Sequence, residues 1–382
     1  MSGLDAVRNL GSKAGRRLQA VHKPFVRMMR RRAREGEHEA LRRDALAVDR
    51  EIARLALGTA PIIAGPWLAE VGYEVLYWIP FLRWFRETHA VSRDRLIIVS
   101  RGGMEAVYAD VGGTYVDIFD LATPESLAAG NARRRAEHEG GGQKQSVAGA
   151  FDEELLAATR ARLGLPRAPV LHPSLLFRLF RNVWHGNLPM DFFWRRTQYA
   201  MLALEKVQAY SGVPDDFIAV KLYSGAALPR NQASQEAVRS LVTRIASIAP
   251  VVALDTDLGV DEHSDFDLHG IPGVTSVREL MSPRTNLGVQ LALIARSRLF
   301  LGTCGGLAWM APFLGVPTVA VYENDRILAP HLLIARQAGA LVGAAEFATV
   351  DLRALGRLGV LDAPGRMGSD LDSCAIRARI KI

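Results

Sequence analysis

RSRLFLGTCGGLAWMAPFLGVPTVAVYEN, residues 296–324, is the stretch on which the fold turns. Arg298 to Leu301 reads as a buried strand that ends in Gly302-Thr303-Cys304-Gly305-Gly306. A helix over Leu307 to Leu314 follows at once, and Thr318 to Tyr322 is the next strand. Strand, glycine turn, helix and strand form the unit of a parallel sheet with helices on both faces. Glycines let the backbone approach a ligand, and the amides that open a helix attract phosphate. Ligands of open parallel sheets sit beyond the carboxyl ends of the strands. A tight turn chosen for packing alone would use the same glycines.

The same alternation extends outward from this run. Toward the N-terminus lie a helix over Gly288 to Arg296, a strand VVAL over Val251 to Leu254, a helix over Gln235 to Ala249 and a strand FIAVKL over Phe217 to Leu222. A second block precedes a hinge at Tyr210 to Asp215. It has strands at Thr59 to Trp67, Arg95 to Ser100 and Tyr115 to Phe119, with helices at Glu74 to Thr88 and Asp152 to Leu163. Val170 to Arg181 and Trp184 to Trp194 are rich in aromatics and stay unassigned. The expectation is α/β, two Rossmann-like domains facing a cleft. Residues 58–208 form the first domain, 209–345 the second, 1–57 a basic helical N-terminal arm and 346–382 a C-terminal tail.

Composition agrees with two cores: 382 residues with 49% hydrophobic content are ample. No run of about 18 apolar residues and no signal-peptide pattern occurs, so a soluble, unexported chain is expected. Cys304 and Cys374 have no metal-ligand or disulfide spacing, which fits a reducing cytoplasm. Much of the net charge of +7 falls between Arg8 and Arg34, where no acid follows Asp5. Val7, Leu10, Ala14, Leu18, Val21, Phe25 and Met28 recur there every three or four residues. Residues 6–34 could thus lie on an anionic membrane at its inner face, or stand as a solvated tail. Nucleic acid is not expected as a partner, because no RNA-binding aromatic signature accompanies the charge.

The run 296–324 resembles the donor-binding segment of GT-B glycosyltransferases, and in layout bacterial heptosyltransferases: helix, short strand, small-residue turn, helix, Gly-Val-Pro, strand. The resemblance implies a GT-B fold, a nucleotide-sugar donor, and a glycan, lipid-linked or other hydroxyl acceptor. It implies no metal and no further cofactor. Donor contacts would come from Gly302, Thr303, Cys304, Gly305 and Gly306, from Gln290 on the preceding helix, and from Tyr223, Ser224 and the cations Lys221 and Arg230 around the first loop of the second domain. Lys221 and Arg230 would neutralise a diphosphate; exposed charges serving only solubility are the plainer reading. Cys304 and Trp309 stand where heptosyltransferases carry Asp and His, so donor and acceptor identity do not carry over.

Gly65-Pro66-Trp67-Leu68-Ala69-Glu70-Val71-Gly72-Tyr73-Glu74 resembles the first strand-to-helix loop of bacterial GT-B-like proteins. An inverting transfer needs a base for the acceptor hydroxyl; Glu70 and Glu74 are candidates, then His172. Glu74 also suits a first helical turn, Glu70 a solvated loop and His172 a structural role. Lys144 and Gln145, after a triple glycine, are candidate contacts to acceptor or phosphate.

Three other readings stand beside this one. Gly302 to Gly306 matches G-x-C-x-G, a cysteine nucleophile elbow that would recruit His331 and Asp325. Asp255-Thr256-Asp257, with Asp261, Glu262, His263, Asp265, Asp267 and His269 close by, could hold a metal as the D-x-D of other transferases does. A GT-B-shaped protein could also bind a nucleotide or glycan without chemistry.

Overall fold

The computed structural model describes residues 36, 39–137, 145, 147–204, 210–256, 258, 263–324, 329–358 and 361. The amphipathic arm over 6–34, Lys144, Asp257, Asp261, Glu262, Asp325, Cys374 and the tail beyond 361 lie outside them. Among the described residues no helix is long and apolar enough to cross a membrane.

The N-terminal unit is a four-stranded parallel sheet of β1 (Ile62–Ala64), β2 (Leu96–Ser100), β3 (Thr114–Asp117) and β4 (Val170–Leu171), in the order β3-β2-β1-β4. All residues of β1 and β2 are buried, as continuous apolar runs in a covered sheet must be. β1 is shorter than the expected Thr59 to Trp67. Its ladder stops where Gly65 takes a φ of +132° and Pro66 has no amide to donate. The unassigned aromatic stretch resolves into β4 and the helices Pro173–Trp184 and Met190–Trp194.

A helix over residues 39–56 buries Ala45, Val48 and Ile52 in the same core and pairs Asp44 with Arg178 and Asp49 with Arg196. This corrects the placing of that segment in a separate arm: an apolar face every three to four residues draws it onto the sheet unit. The cleft-side helix runs unbroken from Val71–Tyr73 through a π turn, Glu74–Trp78, to Ile79–Thr88. Trp78 of the π turn stacks on Trp67, which stacks in turn on Phe177.

The C-terminal unit contains β5 (Ile218–Lys221), β6 (Tyr223–Ser224), β7 (Val251–Ala253), β8 (Ser264–Asp265), β9 (Val274–Ser276), β10 (Leu299–Thr303), β11 (Thr318–Tyr322) and β12 (Phe347–Asp351). Six of these form a parallel sheet ordered β12-β11-β10-β5-β7-β9, while β6 and β8 pair antiparallel beside it. Counted along the chain, the order is 3-2-1-4-5-6, that of a doubly wound nucleotide-binding sheet. Its direction reverses between β5 and β10, which opens a crevice at their carboxyl ends. β12 corrects the boundary at 345. Phe347 to Asp351 pair with Thr318 to Tyr322, so the sheet runs on into the expected tail.

One hydrophobic core spans both units, from Trp67, Tyr77 and Phe177 to Leu291, Leu307 and Trp309. Gly288 N–H donates to Gly102 O at 2.9 Å, Leu202 N–H to Phe313 O at 2.8 Å, and Arg284 pairs with Asp120 at 2.6 Å. His331 joins the units through both ring nitrogens, Nε2 with the Tyr73 hydroxyl at 2.9 Å and Nδ1 with that of Tyr77. Gly72 completes the seam: a Cβ there would stand 2.8 Å from the Trp309 ring and 2.9 Å from Gly306 N. Gly72→Ala gains about 1 kcal/mol of helix propensity but overpacks a ring and a backbone atom that cannot rotate away. Overpacking of this kind costs about 1–3 kcal/mol. The expected result is a net loss of stability in urea unfolding; an unchanged or raised midpoint would show the seam to be loose.

Candidate functional site

A cavity of about 1150 Å³ occupies the crevice and reaches the N-terminal unit. Its floor carries Lys221 at the end of β5 and Tyr223 just beyond it, Asp255 after β7, and Gly306 and Leu307 after β10. Asn286, Leu287 and Gln290 from the helix Asn286–Arg296 form one side, and residues 263–274 another. Glu70 and Val71 close it from the N-terminal unit.

The glycine turn is built as its sequence demands. Gly305 and Gly306 have φ of +141° and +36°, and a Cβ on either would lie 3.1 Å from the Tyr223 hydroxyl, so only glycine fits. Thr303 Oγ1 accepts from Tyr223 N–H at 2.9 Å and donates to Tyr223 O at 2.8 Å, stapling the ends of β5 and β10. The helix that follows, Gly306–Met310, is short. Its first amides have no carbonyl of that helix to bond, and two of the residues that bear them, Gly306 and Leu307, line the cavity.

Of the donor-binding candidates, Lys221, Tyr223, Gln290 and Gly306 form cavity wall. Gly302, Thr303, Cys304 and Gly305 lie behind it as the frame of the turn. Ser224 is not part of the wall, and its hydroxyl bonds to that of Ser264, which is, at 2.8 Å. Arg230 is exposed and outside the wall; Ser264 Oγ and Asp265 O each accept from it at 2.9 Å. Lys221 is ion-paired to Asp265 at 2.8 Å. The expected pair of cations poised for a diphosphate is therefore corrected: one is spent on a carboxylate and the other on the β6–β8 ribbon. Five carboxylates line the cavity, Glu70, Asp255, Asp265, Asp267 and Glu279, against Lys221 and Arg278. The opening residues of the short helix, Gly306 and Leu307, also line the wall.

The cysteine-nucleophile reading fails on the same geometry. Cys304 is buried, burial pushes its thiol up to about 12, and His331 is engaged by two tyrosines. Asp255 accepts from Ser276 Oγ at 2.7 Å and from Arg278 at 3.0 Å. Among the described residues no group of three or more His, Cys, Asp or Glu could hold a metal ion.

The three candidate bases separate clearly. His172 caps the helix Pro173–Trp184: its Nδ1 accepts from Ser174 N–H at 3.1 Å, so Nε2 carries the proton and donates to Asp152 at 3.0 Å. Both nitrogens are thereby occupied away from the cavity wall. Glu74 is wholly buried, accepts from Ser100 Oγ and the Tyr108 hydroxyl, and is raised to about 7, chiefly by loss of solvation.

Glu70 alone reaches the cavity, and the loop before it is fastened residue by residue. Gln145, itself buried, donates to Pro66 O and to Asp152 at 2.8 Å each and accepts from Leu68 N–H at 2.8 Å. Arg134 donates to Leu68 O and Arg101 to Ala69 O, both from buried positions. Gln145 thus braces the loop from within rather than touching an acceptor. Asn286 and Arg278 were not legible as cavity residues. Ser282-Pro283, just ahead of a helix placed two residues late, was the available signal for the first.

No known protein family's sequence profile matches the chain, and no curated protein matches it in sequence. Solved structures similar to it include a glycosyl transferase family 9 protein from Veillonella parvula, at 15% identity over 80% of this chain and 89% of that one, with a TM-score of 0.41. ADP-heptose lps heptosyltransferase II from E. coli matches at 11% identity over 79% and 98%, TM-score 0.41. The E. coli heptosyltransferase WaaC with ADP matches at 12% identity over 80% and 100%, TM-score 0.38. The chain is thus an α/β protein of two parallel-sheet units meeting at a cleft, the second with doubly wound strand order, as the sequence led one to expect.

Proposed function

We propose that the chain is a glycosyltransferase that holds a nucleotide-sugar donor in this cavity and passes the sugar to a hydroxyl acceptor. One observation carries the reading: the cavity lies at the β5–β10 crevice with helix-opening backbone at Gly306 and Leu307 in its wall and Glu70 of the other unit across from them. The diphosphate would rest on those amides beside Lys221, which places preorganised N–H donors where charge develops as the donor breaks. Asp255, at the end of the second strand of the unit, stands where doubly wound sheets set an acid against ribose hydroxyls. Glu70 would take the acceptor's proton. The acceptor oxygen bonds to the anomeric carbon, the bond from that carbon to the phosphate oxygen breaks, and the nucleoside diphosphate leaves with the electron pair.

Titration calorimetry of the full chain with ADP, UDP and GDP and with their glucose and mannose conjugates tests the reading. At least one nucleotide should bind with a Kd of about 1 mM or below, the upper range of ordinary enzyme–substrate affinities. A chain that binds none of them is not a nucleotide-sugar enzyme.

A further inference from the structure

The helix over residues 39–56 buries Ala45, Val48 and Ile52, and its opposite face lies in solvent. At about 100° per residue, Arg42, Arg43, Leu46, Arg50 and Arg54 fall within about one third of its circumference. Leu57 continues their line just past the end of the helix. All six are exposed, Leu46 by 53% and Leu57 by 76%.

The charge on this face is one-sided. Of the acids in the helix, Asp44 and Glu51 are ion-paired with Arg178 and Asp49 with Arg196; Glu39 shares the arginine face. A face that served only solubility would mix both signs and hold few leucines. Four arginines around two exposed leucines suit the boundary between lipid headgroups and acyl chains, where arginine stems reach toward phosphate while leucine leaves water.

The chain ahead of this helix repeats the pattern. Residues 6–34, outside the described residues, carry ten cations and no acid, with an apolar residue every three or four positions. Glu35, Glu37 and Glu39 separate the two basic stretches, so a bilayer would meet them as two linked contacts. A single interfacial contact holds a protein marginally, whereas two in one chain hold it firmly. A nucleic acid would take up the arginines through its phosphates and leave Leu46 and Leu57 in water.

We propose that the outer face of the helix 39–56 is a docking surface for an anionic lipid bilayer, engaged together with residues 6–34. It stands independently of the donor reading, and vesicle binding is measured with no nucleotide present. Flotation of the full chain with vesicles of phosphatidylcholine alone, and with about one third phosphatidylglycerol, tests it. Binding should favour the anionic vesicles by about tenfold or more and should weaken as salt rises from about 0.1 to 0.5 M.

Arg42→Gln, Arg43→Gln, Arg50→Gln and Arg54→Gln together should lower affinity for the anionic vesicles about tenfold or more. Leu46→Ser with Leu57→Ser should lower it about threefold or more at unchanged charge. The substituted side chains are exposed, so both variants should unfold at the wild-type urea concentration. The wild-type comparison of the two vesicles needs no variant. No binding to either vesicle, equal binding to both, or unchanged binding by either variant overturns the proposal. Tighter binding to duplex DNA or single-stranded RNA than to anionic vesicles at the same salt overturns it in favour of nucleic acid.

Discussion

Glu70→Gln is expected to lower kcat by about 10²–10⁴-fold while the donor Kd stays within about threefold, the range removed with a general base. Glu70 is the one candidate base in the cavity wall, and the residues before it, Ala64 to Ala69, are all buried. Three buried side chains, Gln145, Arg134 and Arg101, hold the carbonyls of Pro66, Leu68 and Ala69. Burying two guanidinium groups against main-chain oxygens is a costly way to shape a loop, and what it achieves is a fixed exit for Glu70. Gln keeps the size of the side chain and cannot take a proton, so binding and catalysis separate in the measurement. A variant that keeps more than about a third of the wild-type kcat would remove Glu70 from the chemistry and leave positioning as its only role.

Glu74→Gln is expected to change stability in a pH-dependent way, by about 3 kcal/mol across the acid range. Burial raises the Glu74 carboxyl from the ordinary value near 4.5 to about 7. Below pH 4.5 both folded and unfolded chains carry it protonated. Between 4.5 and 7 the unfolded chain releases its proton and the folded chain does not, so stability falls as pH rises; above 7 the loss is complete. Each tenfold difference in proton affinity is worth about 1.4 kcal/mol, from which the total of about 3 follows. Gln has no such proton, and the other titrating groups are shared by both proteins. Relative to the wild type, the variant should therefore gain stability from pH 4.5 to 7.5 in urea titrations. Parallel curves across that range would mean that Arg101, or water the cavity admits, stabilises the ionised carboxylate.

Glu74 also shows why sequence placed three acids and imidazoles together that the fold keeps apart. Glu70 and Glu74 differ by one helical turn, and their residue types give no hint that one faces the cleft and the other Ser100 and Tyr108 of the neighbouring strand and turn. Local spacing carries no record of which side of a helix a second domain will cover. Arg230 was misplaced for a similar reason. Its loop is built of small residues between Lys221 and Arg230, but the ribbon that engages it comes from residues 264 and 265, 34 and 35 positions away. A polar residue after three glycines reads from sequence as a contact to acceptor or phosphate; only its bonds with Pro66, Leu68 and Asp152 show Gln145 as a brace.

Elements whose cause is local were legible from the chain alone. Continuous apolar runs at RLIIVS and TVAVY became β2 and β11 because full burial requires them, and the glycines at 305 and 306 took positive φ because nothing else can. The sequence by itself determined two parallel-sheet units and the turn that faces the crevice between β5 and β10. Tertiary structure alone decided which side chains reach that crevice, that Lys221 arrives already paired with Asp265, and that His331 and Gly72 weld the units together. The division has a physical reason: strand and turn preferences act over a few residues, whereas burial and charge pairing depend on neighbours that only folding brings near.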